Sequence, residues 1–214
     1  MSLWRTAMTL ALIAELASAV IIDRIAVRVG NSIIKDSDIR RNIRVTDFLN
    51  GDPLRLDQKA RREAAKRLID QIFIREEIRV GDYPRAEWSE ADQELARLKK
   101  DRYRTPAAFD EALVRYGLTE PDLRFEFHWQ LTVLRFVDAR FKPAVLVSDA
   151  EIEKYYREHQ AALRRQYPDA QSLDNLRDQI RDILAGEKVN DQFFAWLEEK
   201  RKSTKVQFYE EGLE

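Results

Sequence analysis

Side chains suited to chemistry near neutral pH are scarce in this sequence. His128 and His159 are its only histidines, and it contains no cysteine. Disulfides, thiolate zinc sites and cysteine nucleophiles are thereby excluded. His128 falls on the narrow polar edge of an otherwise apolar segment and reads as a packing or surface residue. His159 follows Tyr155-Tyr156 and has no partner histidine or cysteine for a metal site. The 38 acidic residues single out no pair of carboxylates, so mixed surface charge is the simpler account of them. No glycine-rich loop is present to cradle a phosphate, which argues against an ATP-driven mechanism. No catalytic residue, metal or cofactor is expected.

The stretch richest in binding potential is residues 123–141. Leu123, Phe125, Phe127, Trp129, Leu131 and Val133 alternate with polar residues, as a strand would. Its length, and the Thr119-Glu120-Pro121-Asp122 cap ahead of it, argue for a helix instead. At about 100° per residue its apolar side chains divide into two faces. One holds Leu123, Phe127, Leu131, Leu134, Val137 and Phe141; the other holds Phe125, Trp129, Val133 and Phe136. Arg124, His128 and Arg135 keep a thin polar edge. A helix apolar on two sides is either central to a core or borders an apolar groove.

The elements that must position this helix are well punctuated. Residues 23–29 alternate and are rich in β-branched types, Gly30-Asn31 makes a two-residue turn, and residues 32–34 form the return strand. Asp36 or Ser37 caps a helix running to about Leu49, where Asn50-Gly51-Asp52-Pro53 breaks it. Further helices are expected from about Asp57 to Val80, from a cap at Ser89 to near Tyr103, and from Thr105-Pro106 to Gly117. Ser148-Asp149-Ala150-Glu151 is a full capping box for a helix to about Arg164. Ser172 caps the last helix, whose Leu173, Leu176, Ile180, Ile183 and Leu184 share one face. Gly186 interrupts that face, marking either a close helix approach or an exit from the core. After Lys202 the pattern changes to the alternating run Lys205-Val206-Gln207-Phe208-Tyr209. A lone terminal strand needs a partner, and the candidates lie between Ile21 and Ile34, so the two ends of the chain are expected to meet.

Composition agrees with a mainly α fold carrying a small sheet that joins the N-terminal hairpin to the C-terminal strand. Glycine and proline number six each, and the chain is 44% apolar and 35% charged. Its 37 basic residues against 38 acids leave no electrostatic footprint for nucleic acid or anionic lipid. Residues 1–19 read as an export signal. Arg5 is a short positive region, residues 7–14 are apolar, and Ala17-Ser18-Ala19 suits signal peptidase, with cleavage after Ala19. The apolar run is well short of the roughly 20 residues of a membrane span, so no stable membrane insertion is expected.

Several stretches in this order resemble the SurA-like periplasmic chaperones, which are related to parvulin-type peptidyl-prolyl isomerases. The hairpin of residues 22–34 with Asp36-Ser37-Asp38-Ile39 is similar to their mature N-terminus. Phe109-Asp110-Glu111-Ala112-Leu113, leading through Gly117-Leu118-Thr119 to Asp122-Leu123-Arg124, is similar to a later signature. Residues 147–156 resemble the segment that precedes the isomerase domain; residues 176–183, Trp196-Leu197-Glu198 and Val206-Gln207-Phe208-Tyr209 resemble the helix and strand that follow it. Where the family normally carries at least one parvulin domain, between His159 and Ser172, this sequence has only a few residues and a turn.

The resemblance implies a chaperone module without the isomerase. Residues 20–164 would be the N-terminal chaperone region and residues 165–214 the helix and strand that pack back on it as one composite domain. The expected function is ATP-independent holding of unfolded envelope or outer-membrane precursors in the periplasm. Part of the Phe125, Trp129, Val133 and Phe136 face would then be open to extended polypeptide clients. Two other readings are a non-catalytic subunit that binds one folded envelope partner, and a prolyl isomerase. A terminal helix and strand that pack on the N-terminus also make a domain-swapped dimer conceivable.

Overall fold

The alternating residues ahead of Gly30-Asn31 fold as a hairpin, β1 (Ile25–Val29) and β2 (Ser32–Lys35). Gly30 adopts φ +55°, the left-handed value that this tight turn needs. The computed structural model describes residues 23–168 and 172–213. The expected export signal, residues 1–19, lies outside the described residues.

The C-terminal strand β3 (Val206–Phe208) runs antiparallel to β1, giving a three-stranded sheet of order β2-β1-β3. Val27 faces Phe208 and Val29 faces Val206. The meeting of the two ends expected from the alternating runs is therefore present. It continues past the strand, because the Tyr209 N–H donates to the Ala26 carbonyl at 2.9 Å. A single 3₁₀ turn, Glu210–Gly212, then lays Leu213 into the interior, fully buried. Gly212 fits only because it lacks a side chain: a Cβ there would sit 2.6 Å from the Ile25 carbonyl oxygen.

Seven helices, among the described residues, lie between β2 and β3. They are α1 (Asp36–Asn50), α2 (Gln58–Val80), α3 (Trp88–Arg102), α4 (Pro106–Tyr116), α5 (Glu120–Phe141), α6 (Asp149–Gln166) and α7 (Leu173–Ser203). Their starts follow the caps read from sequence. The Asp57 carboxylate, Thr105 hydroxyl and Ser172 hydroxyl each accept an otherwise orphaned helical N–H, at 3.0, 3.2 and 3.3 Å. Two starts differ from expectation. At α1 neither Asp36 nor Ser37 is the cap; both lie within the helix, and the Asp38 carboxylate accepts the Lys35 N–H at 2.9 Å. At α3 Ser89 is already helical, because Glu90 accepts the Glu87 N–H at 2.7 Å and closes the first turn two residues earlier.

Apolar side chains gather in three cores. The largest joins the sheet to α1, α2, the C-terminal part of α5 and the second half of α7, through residues such as Val27, Ile39, Phe73, Phe136 and Leu197. A second, around Phe48, Leu95, Phe109, Leu113 and Leu123, joins α1, α3, α4 and the start of α5. The third holds α6 against the first half of α7 through Ile152, Leu163, Leu176 and Ile180. The 31-residue α7 thus spans two cores. Arg201 fastens its far end to α2, with two hydrogen bonds to Asp70 at 2.8 and 2.5 Å. Gly186, between the halves, has nothing within 4 Å of a notional Cβ, so it marks no close helix approach.

Candidate functional site

The polar edge of α5 is a docking edge for α3. Arg124 makes a two-pronged ion pair with Asp92, which holds the Asp92 carboxyl below the usual carboxylate range. Arg135 donates to both Glu90 oxygens, at 2.6 and 2.7 Å, and to the Arg85 carbonyl at 2.5 Å. Between them His128 Nε2 lies 3.0 Å from the Ala86 carbonyl, and its ring stacks on Trp88 with centroids 3.9 Å apart. Thr132, buried beneath, accepts the Ala86 N–H at 3.2 Å. This one row of contacts fixes where Trp88 stands.

His159 is far simpler: exposed, stacked on Tyr155 at 4.0 Å, and placed where the α6 backbone leaves helical geometry. Among the described residues no group of three or more His, Cys, Asp or Glu side chains could hold a metal ion. Nor is any described helix long and apolar enough to cross a membrane.

The four residues expected to face clients have different surroundings. Phe136 is fully buried, with Tyr83, Trp196 and Phe141 around it at centroid distances of 4.9, 5.7 and 6.0 Å. Val133 and Trp129 are half-buried on the same core. The Trp129 ring carries the Arg75 guanidinium 4.8 Å above its centroid. Phe125 is 49% exposed and stands at the open end of the row. The expected face therefore runs from core to surface along α5, most open at Phe125, partly open at Trp129 and Val133 and sealed at Phe136. On the other apolar face Leu134 is 62% exposed.

Phe125 borders a groove of about 290 Å³ bounded by β2, α1, α2 and α5. Ile33 and Ile72 supply apolar lining beside it, and Arg41 and Arg75 supply cations. Arg41 does double duty, approaching the Phe125 ring at 6.0 Å and pairing with Asp122 at 2.6 Å. Burial pushes the Asp122 carboxyl up, yet hydrogen bonds from Thr119 and the charge of Arg41 outweigh it, so Asp122 lies below its ordinary value. Past the rim, Trp88 continues the apolar surface, its ring 6.4 Å from that of Phe125 and 42% exposed. Ile33, Phe125 and Trp88 thus offer apolar side chains from three elements, beside the Arg41 and Arg75 guanidiniums.

Sequence reasoning missed Ile33 and Trp88 for different reasons. Ile33 was accessible to it: Ile34 is buried at 3% exposure, so strand alternation turns its neighbour outward at 44%. Trp88 was not, because its position depends on how α3 docks along the α5 polar edge.

No protein-family model matches the sequence. Chaperone SurA of Chromobacterium violaceum is 25% identical over 187 aligned residues, covering 78% of this chain. The match takes in 43% of that protein's own length, so the chain spans less than half of the relative. That extent of similarity supports a SurA-like relationship for the chain.

Proposed function

We propose that the protein is an ATP-independent chaperone that holds unfolded segments of envelope or outer-membrane precursors in the periplasm. The observation that carries this reading is the exposed run Ile33–Phe125–Trp88 along a shallow, cation-bordered groove. Such a surface suits extended chains with aromatic residues, which gain from apolar contact and need no deep, shaped pocket. The similarity to a protein named as a chaperone supports the same reading. Residues 20–164 and 165–214 act here as one composite client-binding domain, with no catalytic step, and Phe125, Trp129 and Val133 form the α5 part of the surface. Phe136 supports them from within the core.

The test is suppression of aggregation when an unfolded outer-membrane barrel is diluted from urea. Wild-type protein slows the rise in light scattering, and Phe125→Ser with Trp88→Ser abolishes the effect while circular dichroism stays unchanged. Wild type without effect on any barrel client overturns the holdase reading. Capture of one stoichiometric folded partner from envelope extracts favours an interaction subunit instead, and turnover of a proline peptide would reveal an isomerase.

A further inference from the structure

The Arg41–Asp122 ion pair is a wall shared by the groove and a second, larger open cavity of about 830 Å³. Five arginines line that cavity: Arg24, Arg40, Arg41, Arg44 and Arg61. Most of them are neutralised within the fold. Asp36 takes Arg61 at 2.5 Å together with Arg40, and Asp122 takes Arg41. Asp23 is occupied by the Ser37 amide and hydroxyl, at 3.1 and 2.5 Å, and by Lys35 at 3.7 Å.

Arg24 and Arg44 are left over. Arg24 reaches the Glu211 backbone carbonyl at 3.1 Å, and among the described residues no carboxylate lies within ion-pair distance of either guanidinium. Among the described residues Arg44 donates only to the Gly117 carbonyl, at the long distance of 3.5 Å, and its buried Nε has no partner there. A guanidinium has five N–H donors arranged to meet a carboxylate in two places, so Arg44 retains unused capacity facing an open cavity. Glu211 is the remaining acid of the lining, so five arginines face four acids, and one of those acids, Asp23, also carries Lys35. The surplus of positive charge suits an added carboxylate.

We propose that this cavity is an acidic-residue subsite of the groove: Arg44, assisted by Arg24, takes the side-chain carboxylate of an Asp or Glu in a client whose apolar residue lies against Phe125. The proposal rests on the chaperone reading given above. A side-chain carboxylate is the occupant because an unfolded chain has one terminal carboxylate but many acidic side chains. Recognition of acidic motifs by clustered arginines follows the same electrostatics.

The test uses fluorescence anisotropy with labelled peptides blocked at both ends. Each carries Phe and Asp at varied spacing, beside a twin with Asn for Asp. For wild type the Asp peptide binds about tenfold more tightly at the best spacing, as a charge-assisted contact predicts, and the ratio shrinks in salt. Arg44→Gln removes the ratio and leaves Asn-peptide affinity unchanged, while Arg44→Lys keeps part of it. Equal binding of Asp and Asn peptides by wild type overturns the subsite alone. So does a ratio that survives Arg44→Gln, the result expected if Arg44 merely serves the C-terminal carbonyls of α4. A preference seen only for a free C-terminal carboxylate overturns the side-chain assignment. Wild type that binds none of the peptides overturns the chaperone reading as well. Should Arg44→Gln fail to fold, Arg44→Lys and Arg24→Gln decide, and an unchanged ratio in both overturns the proposal.

Discussion

Phe125 and Phe136 are the same residue type on the same helix, about three turns apart, yet one is 49% exposed and the other fully buried. Nothing in their immediate chain separates them. The difference lies in what covers each. Around Phe136 the covering groups are Tyr83 from the α2–α3 connection, Phe141 at the end of α5 and Trp196 of α7, and α7 is in turn held by β3 and the Arg201–Asp70 pair. Around Phe125 they are one side of Trp88 and the tip of Arg41. One end of α5 therefore gains stability from burial, and the other keeps apolar surface available for a ligand. A single helix can do both because its two ends belong to different cores.

The largest effect should come from emptying the covered end. Phe136→Ala is expected to cost about 3–5 kcal/mol, through lost apolar burial and the cavity left behind, read as a lower urea midpoint. Next comes removal of the cover itself. Gly212→Ala drives a methyl group onto the Ile25 and Ala26 backbone, and forcing the closing turn off β1 should cost about 1–3 kcal/mol. Hydrogen exchange should rise first in β3 and the end of α7. At the open end, Phe125→Ser should change stability by no more than about 1 kcal/mol, since only part of the ring is buried, while client holding is lost. Equal losses of stability for the Phe125 and Phe136 variants would break the comparison. Stiffening the covering helix should help slightly: Gly186→Ala fills open space in α7 and should raise stability by about 0.5–1 kcal/mol in thermal melts.

A pH titration probes the contact between α6 and the first half of α7. A hydrogen bond from Lys188, with others from Ser148, holds the Glu151 carboxyl at about 2, below its ordinary 4.5. A depressed carboxyl contributes its stability above the unfolded value and loses it as pH falls through the folded value. The contribution is thus complete above about 4.5 and fades as pH drops toward 2. Chemical shifts of α6 and α7 should report the loosening of this contact as pH falls through that window, and Lys188→Gln should remove part of the dependence.

Much of the architecture was legible because it rests on local rules. Capping residues and breakers such as Asp57, Thr105, Gly117, Ser148 and Ser172 satisfy or terminate backbone hydrogen bonds within a few residues, so their meaning survives without tertiary information. The exceptions, Asp36 with Ser37 and Ser89, are places where an acid in the first turn, Asp38 or Glu90, reaches back to the Lys35 or Glu87 N–H and starts the helix earlier. Pairing of β1 with β3 was legible for a different reason: an alternating terminal strand must find an edge, and few were on offer. The candidate site was only half legible. Apolar residues on α5 could be assigned to faces, but a face does not say what covers it.

By itself the sequence determined the helical series, the hairpin, the closing strand and the aromatic character of α5, since propensity, capping and periodicity act within one element. Only tertiary structure decided that Phe136 is sealed while Phe125 stays open, that the α5 polar edge sets Trp88 beside it, and that Arg44 faces a cavity with no acid partner among the described residues. Those outcomes depend on packing between elements distant in sequence. Burial and charge compensation belong to the assembled neighbourhood, and a linear pattern encodes each neighbour without encoding which of them meet.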